Sequence, residues 1–225
     1  MPPLARYRWV MVEELRVWAI SIHQVRQCFA APEELADRLY AVTESAWPCE
    51  KLRPVRGLLA KLGPLTRQAP AAPVIRPDVP NRVDAENMMA SRFIASERLG
   101  ACWVLLRTWL DELAADHTSL PLPRAGIDGV EFDLARSGVP THVSIRHLWQ
   151  RGLDVPLRPV GAMSVGYMDN ATAGVLVERW QAAMADLEET TLAFATPFLQ
   201  FMEVFGRPEH PEYDPLDLVA WWTCR

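Results

Sequence analysis

The chain has 225 residues, 28 of them acidic and 23 basic, for a formal charge of −5, a size that predicts one domain, or at most two, with enough chain to bury a core unaided. Both signs of charge are interspersed, which excludes a basic face for nucleic acid and a polybasic run for a membrane surface. Cys28, Cys49, Cys102 and Cys224 are too widely spaced for a zinc or redox motif and too few for a disulfide scaffold. No stretch reaches 18 uninterrupted apolar residues, and Glu13, Glu14 and Arg16 break the segment behind the N-terminus, so neither a membrane span nor a secretory signal is expected and the cytoplasm is the expected compartment.

Three residue types are used unevenly: nine Trp, nineteen Pro, and 21 Arg beside only Lys51 and Lys61. The Arg excess is what a GC-rich bacterial genome produces. In chain order, residues 15–22 are rich in β-branched and aromatic types and predict a strand. Ser21 followed by Gln24 opens a helix carrying Ile22, Val25, Cys28 and Phe29. Pro32 with Glu33 and Glu34 opens a second helix, with an apolar stripe of Leu35, Leu39, Val42 and Ala46 that Trp47-Pro48 stops. A shorter helical piece is expected over 55–62. Five prolines within 64–80 mark a surface loop or linker, the one candidate boundary in an otherwise single domain.

Asp84 is read as the cap of a long helical tract running to about Asp116, broken or kinked at Gly100. Residues 118–140 are rich in turn residues, and Gly126 with Asp128-Gly129 suggests a short hairpin leading into Val130-Glu-Phe-Asp-Leu. Ser144 is placed to cap a short helix that Gly152 closes. Residues 160–168 predict a strand whose glycines let another backbone approach. Asp169 or Asn170 then caps a helix with Leu176, Trp180, Ala183, Met184 and Leu187 inward. A further helix over 191–205 contains Pro197, and residues 216–224 close the chain as a strand. Short strands separated by helices indicate an α+β domain, with α/β as the alternative: a small central mixed sheet covered by several helices.

Motifs that carry chemistry are missing from this pattern. His142 and His147 lie at no metal-ligand spacing, and no Gly-x-Ser-x-Gly elbow or phosphate-cradling loop is present. The adjacent acids Asp111-Glu112 and Glu188-Glu189 splay apart on a helix. No metal or cofactor is expected. A catalytic site, if there is one, is expected at strand ends, from His23, Arg26, Tyr167 and Asp169. Trp221-Trp222 on a strand must face opposite sides of the sheet, and Trp is enriched where proteins bind partners. The simplest reading of the tryptophans is core filling with their N–H groups satisfied.

The order of elements resembles that of the YfbM-like bacterial proteins of unknown function. The resemblance is carried by Val17-Trp-Ala-Ile-Ser-Ile-His-Gln-Val-Arg turning from strand to helix, Ala101-Cys-Trp-Val-Leu-Leu-Arg-Thr-Trp-Leu, Gly166-Tyr-Met-Asp opening a helix, and Asp217-Leu-Val-Ala-Trp-Trp. It implies a compact cytoplasmic domain and assigns no catalytic residue. The leading expectation is a non-catalytic binding protein that uses a protein–protein contact or a small-ligand pocket, an immunity- or antitoxin-like role being one instance. Trp221 and Trp222 are its candidate binding residues. The alternative is an enzyme built on the strand-end set.

Overall fold

The computed structural model describes residues 13–48, 79–123, 125–206 and 215–224. The expected helix over 55–62 and nearly all of the proline-rich 64–80 stretch lie outside the described residues. Four strands, β1 (Glu13–Ile20), β2 (Asp116–Pro121), β3 (Met163–Met168) and β4 (Asp217–Cys224), form one sheet in the order β2-β1-β4-β3. The fold is α+β as expected. The three pairings are all antiparallel, where a mixed sheet was expected.

The two central strands come from opposite ends of the described chain, and their alternation divides the core in two. Leu15, Val17, Ala19, Leu218 and Ala220 face one side, against α5 (Gly126–Arg136), α6 (Asn170–Ala183) and α7 (Glu189–Met202). Trp18, Ile20, Val219 and Trp221 face the other, against α1 (Ile22–Gln27), α2 (Glu33–Ala46), α3 (Arg82–Met89) and α4 (Leu99–Leu113). A sheet buried on both faces needs apolar residues at successive positions, and the near-continuous burial of β1 and β4 answers to that.

Several local signals act as read. Ser21 accepts from the His23 N–H at the start of α1, and Asp169 accepts from the Thr172 N–H at the start of α6. Gly166 lies where an added Cβ would come 2.4 Å from the Trp149 Cα and 2.5 Å from the Arg151 carbonyl oxygen. The close backbone approach expected at this strand is therefore real. It places the 3-10 segment Ile145–Trp149 against β3, and the Tyr167 N–H donates to the Arg151 carbonyl, giving this edge strand a partner.

Four expectations are corrected. Asn81, rather than Asp84, caps α3; Asp84 supplies the reciprocal arm of the capping box and pairs with Arg98. The long tract breaks over 90–95, before α4, and Gly100 sits in the first turn of α4 rather than at the break. The hairpin around Gly126 is helix α5. Gly126 (φ +65°) takes the left-handed conformation at its start, Asp128 lies in the first turn, and Ile127, Val130 and Leu134 are buried at helical spacing. Strand β2, Asp-His-Thr-Ser-Leu-Pro, stands where the sequence predicts the end of a helix and the start of a turn-rich stretch. Only Leu120 of its six residues is buried, so it carries no apolar alternation to reveal it.

Candidate functional site

The strand-end residues are brought to one end of the sheet, where β1 and β3 each turn into a helix. Asp217, at the start of β4 between them, is buried, and its carboxylate accepts from the Ile22 N–H (2.9 Å) and the Asn170 N–H (3.3 Å). One carboxylate thus ties the first turns of α1 and α6 together, where helix N-termini favour negative charge. Burial pushes its pKa up, against the two backbone bonds that lower it. Sequence reasoning missed Asp217, whose one local signal is an acid at the first position of an apolar strand.

Around it, the four candidates are held in pairs. The Arg26 guanidinium lies 5.6 Å from the Tyr167 ring centroid, donates to the Leu153 carbonyl and pairs with Asp154. Asp169 pairs with Arg151 while capping α6, and the Thr172 hydrogen bonds, followed by Arg151, hold its carboxyl below the usual range. His23 is exposed and lies 3.1 Å from the Gln27 amide nitrogen. The arrangement clamps helices to strand ends.

A different site lies at the opposite end of the sheet. Its floor is formed by neighbouring residues on one sheet face: Arg16 stands opposite Trp221 in the β1–β4 register, and Glu14 opposite Thr223. Its wall is one side of α4, where Gly100, Trp103, Val104 and Arg107 recur at helical spacing, and Val160 and Met163 close the far side. These residues enclose a cleft of about 230 Å³. Trp103 meets Trp221 edge to face, with centroids 5.2 Å apart.

Hydrogen bonding singles this cleft out. Five other indoles have acceptors: Trp18 donates to Asp111, Trp103 to the Arg158 carbonyl, Trp109 to Thr43, Trp180 to the Val143 carbonyl and Trp222 to Glu13. Trp221 is 8% exposed, and its Nε1–H has no acceptor. The buried Nε–H of Arg16 has none either, although another nitrogen of the same guanidinium donates to Asp111 at 2.9 Å. Buried donors are nearly always paired, and an unpaired one costs about 1–3 kcal/mol. Two of them beside one cleft mark it out from the rest of the core.

Compared with models of protein families, with curated proteins and with solved structures, the chain matches none. Of the two tryptophans selected from sequence, Trp221 lines this cleft. Trp222 faces the other side of the sheet, as alternation requires, and is half-buried, with its ring stacked on Trp149 at 6.4 Å. Arg16 and Trp103 went unselected because only the β1–β4 register and the packing of α4 bring them to Trp221.

Proposed function

We propose that the protein is a binding protein that takes a small molecule into the cleft between α4 and the Trp221 end of the sheet. The observation that carries this reading is the buried Trp221 Nε1–H, without an acceptor where the other buried indoles among the described residues, Trp18, Trp103, Trp109 and Trp180, each have one. Small-molecule sites combine apolar walls with a few placed polar groups, and Trp103, Val104, Val160 and Met163 supply such walls around the two donors. The small volume suits a ligand of one or two rings. Kinship with the YfbM-like proteins belongs to this proposal as an expected relationship of fold and gives no residue a role.

The test is a thermal-shift screen of a small-molecule library against the wild type and Gly100→Leu. Gly100 lies on the cleft wall in helical backbone, and a Cβ added there meets nothing within 4 Å, so a leucine there adds bulk at the cleft wall from a position with room for its Cβ. Compounds that raise the melting temperature of the wild type and not of the variant support the proposal. A screen whose stabilising compounds act equally on both proteins, or that yields none, counts against it.

A further inference from the structure

We infer that the ligand of this cleft is a planar, ring-bearing carboxylate held by the Arg16 and Trp221 N–H groups; the inference rests on the cleft being a ligand site. An indole N–H and an arginine Nε–H can only donate, so the complementary group must be an acceptor. Directly opposed cross-strand residues have Cβ atoms about 5 Å apart, which sets the Arg16 and Trp221 side chains beside each other on the sheet face. A carboxylate offers two oxygens to such a pair, and its hydrogen bonds to a cationic donor are the stronger kind.

The carboxylates nearby are already engaged. Asp111 accepts from Arg16 through one oxygen and from Trp18 through the other (2.8 Å), and Glu14 accepts from the Ser119 hydroxyl at 2.6 Å. The body of the ligand is set by the walls. Trp103 and Trp221 present aromatic surface and Val104, Val160 and Met163 aliphatic surface, which suits a flat ring rather than a hydrated phosphate or a polyol.

Three probes with one ring and different head groups test this: benzoate, benzamide and benzylamine. Each is titrated into protein carrying ¹⁵N-labelled tryptophan, and the indole N–H signals are followed, with the Trp221 and Trp103 signals assigned from Trp221→Phe and Trp103→Phe. Benzoate is expected to move the Trp221 signal in a saturable way, at least tenfold more tightly than benzylamine, with benzamide between them. That preference should disappear in Arg16→Gln, and all binding in Gly100→Leu. If benzylamine binds as tightly as benzoate at Trp221, the carboxylate inference fails and the ligand cleft stands. If no probe moves the Trp221 or Trp103 signal, or benzoate moves them equally in Gly100→Leu, the cleft reading fails and the inference with it.

Discussion

Arg16 and Trp221 stand opposite each other in the β1–β4 register, and each keeps one buried N–H without an acceptor. The rest of the core treats the same chemistry differently. Trp109, fully buried on α4, donates to the Thr43 hydroxyl, and that hydroxyl donates to the Leu39 carbonyl within α2.

This contrast predicts how two matched substitutions differ. Trp109→Phe loses a hydrogen bond along with ring volume. Trp221→Phe loses ring volume but also removes an unsatisfied donor, and such a donor costs about 1–3 kcal/mol. Urea unfolding should therefore find Trp221→Phe less destabilising than Trp109→Phe by about 1–3 kcal/mol. A cost for Trp221→Phe equal to or above that of Trp109→Phe would mean that its N–H is satisfied.

Two glycines should respond in opposite directions. At Gly166 an added methyl meets the backbone of Trp149 and Arg151, which cannot yield as a flexible side chain can. Gly166→Ala should destabilise by about 1–3 kcal/mol, the usual range for overpacking. Gly174 lies within α6 with nothing near its Cβ position, so Gly174→Ala should stabilise by about 0.5–1 kcal/mol. Thermal melts of the two variants read this directly, and a Gly166→Ala protein as stable as the wild type would contradict the account of Gly166 as a close-approach site.

Much of this architecture was legible because residue pattern and burial agree. Strand β4 carries near-continuous apolar residues, Asp169 caps α6 as an acid before a helix should, and Val160-Gly-Ala-Met-Ser-Val-Gly signalled the backbone approach at Gly166. What escaped the reading has physical causes. Strand β2 is a polar edge strand whose pairing with β1, rather than its own pattern, makes it a strand. Helix α5 begins with residues that usually make turns, and only the burial of Ile127, Val130 and Leu134 reveals the helical period. The cleft was half visible: Trp221 stood out by type, whereas Arg16, dispersed among 21 arginines, became a site residue through a pairing between distant parts of the chain.

Three carboxyls with shifted pKa values make stability depend on pH in two opposed windows. Asp169 is held below the usual range by its Thr172 and Arg151 bonds. Burial pushes Asp133 up, but bonds from the Glu188 N–H, Thr191 and Arg136 outweigh it and hold it low. Groups depressed in this way contribute stability that is present above the unfolded carboxylate value and lost as pH falls through the folded one. Asp217 has the opposite sign: its raised pKa contributes stability that is full below the unfolded value and lost as pH rises through the folded one. Urea midpoints from pH 2.5 to 6.5 should show a weaker acid-side loss in Asp169→Asn. In Asp217→Asn the decline above about pH 4, the ordinary Asp range, should be removed. Parallel pH profiles for Asp217→Asn and the wild type would contradict the assignment.

Cys28 and Cys102 are buried, and burial pushes both thiols up to about 12. Since the thiolate is the reactive form, both should remain unmodified when the native protein is treated with iodoacetamide at pH 8, and both should react after unfolding. Peptide mapping by mass spectrometry checks this. Native labelling of either at the rate of a free thiol would show that its helix opens readily.

The central claim, that the Trp221 N–H takes its acceptor from a ligand, is tested most directly by a crystal structure of the protein soaked in benzoate. The account predicts a carboxylate oxygen within hydrogen-bond reach of Trp221 Nε1, at about 3 Å, with the ring against Trp103. A structure in which Trp221 Nε1 donates to a group of the protein itself, or in which benzoate leaves the cleft unoccupied, would contradict it.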